Sequence, residues 1–377
     1  MVKLLRVLHL ATWYPRKASP FSVPFIKAHY LALEPYVQQR LVHIEVSEND
    51  EFAFTWSVAS EDRSIVRLSG FRGPTRIREF LTLGLLFMLR FRLGRRNWDV
   101  VLVHVAWPTF RFPRMVRALF GNQIVLIEHW SAYAHDFFLD PSSEAHARMR
   151  QIFSSDAPVI AVSRDLASDI VAFAQRDDLD VHVVPNVVDD KFQFVGLPEF
   201  PSILMAANWN GFRRPFFVLK AMPELLRLVP MLTLVIAGGG PQLFAMKEYV
   251  AAQEWAERVK FLGYVGRDRV AQEMRMATVL AHPTTHETFS VITAEAACCG
   301  VPAVVSNVGA LPELLVSGKN GLLVENDEGS WRDALARALD PSMAWDREQI
   351  AAEAQGRFSA RVVGRQLAEI LAEVADR

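Results

Sequence analysis

The chain has 377 residues, 51% of them hydrophobic, and a formal net charge of −1. That is enough apolar material for more than one core, so two domains are the natural reading, and the near-neutral sum provides no global field for holding nucleic acid. The two cysteines, Cys298 and Cys299, are neighbours that no unstrained disulfide can join, and they read as buried thiols of a reducing compartment.

The opening MVKLLRVLHLATWYP lacks a small-residue cleavage pattern and reads as a first strand rather than a signal peptide. Short apolar runs then alternate with amphipathic ones: VPFIKAHYLALE, WDVVLVHVA, TFRFPRMVRALF, NQIVLIEHW, APVIAVS, RDLASDIVAFA and DVHVVPN. Such alternation predicts a parallel sheet with helices on both faces. Within this half, twelve arginines stand between Arg63 and Arg117 against Glu79 and Asp99 alone. The centre of that stretch, TRIREFLTLGLLFMLRFRLGRRN, is apolar with basic flanks at Arg76, Arg78, Arg90, Arg92, Arg95 and Arg96. It reads as a helix lying on an anionic membrane surface, or else as a buried helix with a solvated arginine rim. The longest apolar run, Phe80 to Leu89, is shorter than the ~20 residues of a bilayer span, so a cytoplasmic protein, peripheral on the inner face of the membrane at most, is expected.

Pro185 to Pro201 interrupts the pattern, which restarts with PSILMAAN, a helix from about Pro215, LTLVIAGGG, VKFLGYV, ATVLAHP, PAVVSN and GLLVE. The predicted organisation is an α/β chain of two facing doubly wound, Rossmann-like domains. Residues 1–190 form the first, 191–200 a linker, 201–345 the second, and 346–377 are terminal helices packing back on the first domain. Ligands of such sheets sit beyond the carboxyl ends of the strands.

After the strand ATVLAHP, TTHETF is a loop and SVITAEAACCG a helix stopped by Gly300 and Pro302. Glu287 lies at the loop's end and Glu295 in the helix's second turn, with the free amides of Ser290 and Val291 between them. That order fits a ligand with hydroxyls at both ends and phosphate in the middle, such as a nucleotide-sugar. On residue chemistry alone the alternative stays open that Glu287 favours the helix dipole and Glu295 pairs with an unidentified arginine.

Glu, seven residues, Glu, then AACCGVPAVVSNVGALPELL and NGLLVE, resembles the donor-site signature of the retaining GT-B glycosyltransferases of family 4. VLHLATWYP, SPFSVPFIKAHYLAL, IEHWSAY, VIAVSRDLA, VVPNVVDDKF, NGFRRP, VIAGGGP and VKFLGYV extend the resemblance over nearly the whole chain. The resemblance implies that Glu287 contacts the donor sugar, Glu295 the nucleotide ribose, and the amides of Ser290 and Val291 the diphosphate, with Ser290 where glycine is usual. Of two cations expected after the second domain's first strand, Asn208 replaces one and Arg213 keeps the other; Arg214 is a substitute. His129 matches a histidine at the reaction centre, while His9 and His104 are lower candidates. Tyr264 falls where the chain brackets the nucleobase, and Gly238, Gly239 and Gly240 suggest a tight turn near the donor. Val23 and Pro24 depart from the glycine-containing loop after the first strand.

The function implied is transfer of a hexose, with retention, to a glycan or lipid-linked acceptor of polysaccharide or lipopolysaccharide biosynthesis. No metal site or further cofactor is expected, since Asp178 to Asp180 reads as a turn and no His/Cys cluster has ligand spacing. A nucleotide-sugar epimerase on the same fold and a non-catalytic nucleotide-sugar-binding protein are the competing readings.

Overall fold

A computed structural model of the protein describes residues 4–11, 24–46, 53–60, 63–69, 75–92, 98–121 and 123–377. Val23, Arg95 and Arg96 lie outside the described residues, as do the side chains of Arg76, Arg78 and Arg92. Two compact units divide the chain: residues 1–186 with 360–377, and residues 187–359.

In the first unit the elements run β1 (Leu5–Ala11), α1 (Pro24–Leu33), β2 (Val37–Val46), β3 (Ala53–Ser60), β4 (Arg63–Ser69), α2 (Thr75–Arg92), β5 (Val100–His104), α3 (Pro113–Phe120), β6 (Ile124–Glu128), α4 (Glu144–Arg150), β7 (Val159–Ala161), α5 (Arg164–Ala174) and β8 (Val181–Val183). They build an eight-stranded sheet in the order β3-β4-β2-β1-β5-β6-β7-β8. All pairings are parallel except β3 with β4, an edge hairpin that the alternation of the sequence did not announce. β5 and β6 are fully buried because helices cover both faces, which is why they read as unbroken apolar runs rather than alternating ones.

The second unit runs β9 (Ser202–Ala206), α6 (Phe216–Leu228), β10 (Thr233–Ala237), α7 (Leu243–Ala251), β11 (Val259–Gly263), α8 (Arg267–Met276), β12 (Val279–His282), α9 (Val291–Cys298), β13 (Ala303–Ser306), α10 (Leu311–Leu314), β14 (Gly321–Val324), α11 (Glu328–Leu339) and α12 (Arg347–Phe358). Its six strands are all parallel, in the order β11-β10-β9-β12-β13-β14. Ile203, Met205, Leu234, Ile236, Val279 and Ala281 point from one face into a core closed by Leu219, Met222, Met246, Trp331 and Leu335. Both sheets are doubly wound.

The terminal helices part company. α12 stays with the second unit, packed on α9, where the buried guanidinium of Arg347 donates to the carbonyls of Gly300 and Ala277, each at 2.8 Å. Only α13 (Ala360–Ala375) rejoins the first unit, on α1, so the expectation that the terminal helices pack back together on the first domain holds for one of the two. The contact is close, since a Cβ on Gly364 would stand 2.0 Å from the carbonyl oxygen of Ala32. Cys298 and Cys299 are buried and free. Among the described residues no helix is long and apolar enough to cross a membrane.

α2 is buried along one side only. Thr82, Leu85, Leu86 and Leu89 are buried, while Phe80, Phe87 and Met88 are 61%, 53% and 45% exposed on the other side of the same helix. Met115 of α3 adds another half-exposed apolar side chain. Arg90, expected on the membrane side, is half-buried instead, its Nε donating to the carbonyl of Leu119 at 2.7 Å.

Candidate active site

In the second unit the polar groups gather beyond the carboxyl ends of β9, β10, β11 and β12. A ring of hydrogen bonds fixes the loop after β12. Thr284 donates its amide to Ser306 Oγ at 2.9 Å, Ser306 Oγ donates to Asn326 Oδ1 at 2.7 Å, and Asn326 Nδ2 returns to the Thr284 carbonyl at 2.9 Å. Ala310 donates to the Glu287 carbonyl at 3.0 Å. That carbonyl is also why residue 309 is glycine: it sits at φ +53°, and a Cβ there would lie 2.2 Å from the Glu287 oxygen. The NVGALPELL run is therefore the support of the first glutamate.

Glu287 carries its carboxylate into a charged cluster. Oε1 pairs with Arg213 Nη1 and lies 2.7 Å from His282 Nε2, so the tautomer protonated on Nε2 donates to it. Arg213 Nη1 also reaches Thr284 Oγ1 at 2.7 Å. Burial alone would raise the Glu287 carboxyl, but the Arg213 charge and then His282 overcome it and hold the group at about 2. His282 is pushed the other way, below its ordinary value, first by burial and then by Arg213. The site thus presents a fixed carboxylate beside a guanidinium and a neutral imidazole, and Arg213 Nε stays buried with no protein partner.

Glu295 is fully buried in α9. Its Oε1 takes Arg267 Nη2, and its Oε2 is buried with no protein partner. Burial is the larger effect here: it pushes the carboxyl up to about 7 against the pull of Arg267. Of the two readings left open by the sequence, the arginine partner exists, and it is Arg267. Pairing occupies only one of the two carboxylate oxygens.

Between the two glutamates, the first bonds of α9 run from the amides of Thr293 and Ala294 to the Ser290 carbonyl, at 3.1 and 3.2 Å. The amides of Ser290 and Val291 stand ahead of that ladder, at the positive end of the helix. Ser290 adopts φ +69°, the left-handed region that glycine enters without strain, and its Oγ lies 2.8 Å from Thr293 Oγ1. That is the physical content of a glycine preference at this position.

The turn after β10 shapes the far side. A Cβ on Gly239 would stand 2.3 Å from the ring of Tyr264, so the tyrosine lies directly on that glycine while remaining 63% exposed. Asn208 is exposed, with Oδ1 against Gly240. Arg214 turns back on its own loop, its Nη1 bonding the carbonyls of Gly211 and Arg213. The structure thus brings together Arg213 and Glu287, with His282 and Thr284, which sequence reasoning missed although LAHPTTHE places both next to Glu287. Arg214 is not drawn into that cluster.

In the first unit His129 follows β6, stacked on Phe25 at 4.2 Å and tilted against His29 at 5.3 Å. His9 of β1 meets His104 of β5 through Nδ1 and Nε2, 2.9 Å apart. All four rings are buried, and burial holds His9 at about 3, His29 at about 4, and His104 and His129 well below the ordinary range. Beside them Glu128 Oε1 accepts from the amide of Ala106 and the hydroxyl of Tyr133, each at 2.7 Å, and burial pushes its carboxyl up to about 7. Among the described residues no group of three His, Cys, Asp or Glu side chains is placed to hold a metal ion.

Comparison with known proteins gives the family. Residues 189–357 match the family model described as glycosyl transferases group 1, and residues 45–192 the one described as Glycosyltransferase Family 4. A D-inositol 3-phosphate glycosyltransferase of Xylanimonas cellulosilytica is 29% identical over 66% of this chain, which spans 60% of that relative's length. A GDP-mannose-dependent alpha-(1-6)-phosphatidylinositol monomannoside mannosyltransferase of Mycolicibacterium smegmatis is 28% identical over 74% of this chain and 78% of its own. The solved structure of Anabaena HepE in complex with UDP and glucose superposes with a TM-score of 0.71 at 17% identity, covering 98% of this chain and all of that one. With two doubly wound units, the paired glutamates on one loop and helix, and both family models matched, the chain belongs to the family 4 glycosyltransferases of the GT-B fold.

Proposed function

We propose that the protein transfers a hexose from a nucleotide-sugar to an acceptor hydroxyl with retention of configuration. The observation that carries this is the loop and helix at 282–295, where a carboxylate held ionised by Arg213, two helix-start amides and the unpartnered Oε2 of Glu295 follow one another. The sugar hydroxyls fall to Glu287, the diphosphate to Arg213 and the Ser290 and Val291 amides, the ribose diol to Glu295 Oε2, and the base to the exposed ring of Tyr264. Gly239 lets that ring approach, Asn208 and Arg214 border the phosphate side, and His129 of the first unit serves the reacting sugar. In the bond change, the sugar C1–O bond to phosphate breaks, a bond from C1 to the acceptor oxygen forms on the same face, and the acceptor proton passes to the leaving phosphate. The departing charge meets preorganised donors, which is the larger part of catalysis in such transfers, so no metal is required. The UDP in the HepE structure supports a nucleotide-sugar donor.

The acceptor is proposed to be lipid-linked. Phe80, Phe87 and Met88 are exposed on one side of α2, a helix whose sequence carries four arginines, and the Mycolicibacterium relative is named for phosphatidylinositol monomannoside. Each basic residue near an anionic surface adds roughly 1 kcal/mol.

A thermal-shift panel of UDP-, GDP-, ADP- and dTDP-sugars on the wild type and Glu295→Ala tests the donor reading. A donor at 100 times its Kd stabilises by about 2.7 kcal/mol. One donor should raise the melting temperature of the wild type alone; no shift with any donor overturns the reading. Nucleoside diphosphate release that depends on added acceptor separates transfer from epimerisation and from simple binding.

A further inference from the structure

We propose that Arg267 is a positioning residue for the nucleotide: it holds the buried Glu295 carboxyl through Oε1 and so presents the unpartnered Oε2 to the ribose hydroxyls. The inference rests on the donor reading of Glu295 given above and adds a residue that neither the glutamate spacing nor the phosphate-side cations bring in.

The geometry is specific. Arg267 is the first residue of α8, three residues after Tyr264, and its guanidinium lies over the ring of Phe192, 4.8 Å from the centroid. Stacking fixes the plane of the fork, and Nη2 then meets Glu295 Oε1. The arginine side chain is 34% exposed while its partner is fully buried. Around Glu295 the other charged and titratable groups are Asp189, which opposes ionisation, and Cys298 and Cys299 of its own helix, whose thiols burial pushes up. Arg275 of α8 and Arg347 of α12 face Cys299. Of these, Arg267 alone bonds the carboxylate.

The chemistry follows from lone pairs. An ionised carboxylate accepts from both hydroxyls of a ribose diol, whereas a protonated one keeps a single acceptor-only oxygen and adds a donor that the diol does not need. A carboxyl poised at about 7 is divided between these forms near neutrality, and without its guanidinium it is left with burial and Asp189, both of which favour the neutral form. Arg267 therefore determines the fraction of protein able to receive the ribose.

The test is isothermal titration of the full-length protein with UDP, GDP and ADP and their 2′-deoxy counterparts from pH 6 to pH 9, on the wild type, Arg267→Met, Arg267→Lys and Glu295→Gln. For the wild type, the Kd of the nucleotide that binds should weaken below about pH 7 and level off above it. Arg267→Met should bind about fivefold more weakly at pH 7, the effect of a one-unit rise from about 7, regain affinity toward pH 9, and discriminate less against the 2′-deoxy nucleotide. Arg267→Lys should keep most of the affinity, and serves as the folded control. An Arg267→Met pH profile identical to the wild type, with Glu295→Gln weakened, overturns the role of Arg267 and leaves the donor reading standing. If Glu295→Gln binds like the wild type, or no nucleotide binds the wild type, the ribose reading itself falls.

Discussion

Acidification from pH 7.5 to pH 5 should open the first unit, and the buried histidines set the size of the effect. His9, His29, His104 and His129 are held neutral by burial, His9 at about 3 and His29 at about 4. In the unfolded chain each titrates near 6.5, so between 6.5 and the depressed native value the unfolded state binds the extra proton and stability falls with pH. At pH 5 His9 and His29 each contribute about 2 kcal/mol of destabilisation, about 4 together, and His104 and His129 act in the same direction. Glu128 acts in the opposite direction: its native carboxyl sits at about 7, so acidification to pH 5 relieves about 2 kcal/mol of the cost of burying it ionised. The net loss from His9, His29 and Glu128 is about 2 kcal/mol, to which His104 and His129 add, a sizeable share of the stability of a typical domain. Hydrogen exchange read by mass spectrometry, corrected for intrinsic rates, should show β1, β5 and β6 losing protection at pH 5 while β9 and β10 keep theirs. His104→Gln should reduce the slope of unfolding free energy against pH by about 1.4 kcal/mol per unit, one proton's worth. Equal protection of β1, β5 and β6 at both pH values would refute the claim that the four rings are neutral and buried together.

Three substitutions in the second unit follow from the same geometry. Gly309→Ala should cost about 2 kcal/mol or more by chemical denaturation and weaken donor binding, because the new Cβ meets the carbonyl of Glu287; unchanged binding would show that Glu287 does not depend on that contact. Ser290→Gly should be stabilising or neutral, within about 1 kcal/mol, since glycine enters φ +69° freely and loses only the Thr293 contact. Arg213→Met should destabilise by about 3–5 kcal/mol by leaving Glu287 buried without its cation, and adding Glu287→Gln should recover much of that loss in a double-mutant cycle.

The two sheets were legible because their strands are short apolar runs bounded by Gly, Pro and Asn, and the glutamate helix because Gly300 and Pro302 stop it. Arg267 was not legible as a partner: it precedes Glu295 by 28 residues on another helix, and only packing between α8 and α9 makes them neighbours. His9, His104 and His129 were each visible at strand ends, but their union depends on the order β1-β5-β6, and His29 arrives from a helix face that periodicity assigns to plain packing. The β3–β4 hairpin hides in a stretch whose arginines drew attention to charge instead. The parting of the terminal helices turns on Ser359, which carries none of the Gly or Pro signals that usually mark a change of packing partner.

The last helix gives the chain a constraint in time. The first unit is made of residues 1–186 and 360–377, with Val363, Leu367 and Leu371 of α13 fully buried and Tyr36 Oη donating to the carbonyl of Arg361 at 3.1 Å. A ribosome adding 5–20 residues per second delivers the whole second unit before that helix exists. The half of the molecule made first is thus the half completed last, with α1 waiting on the ribosome for its final partner.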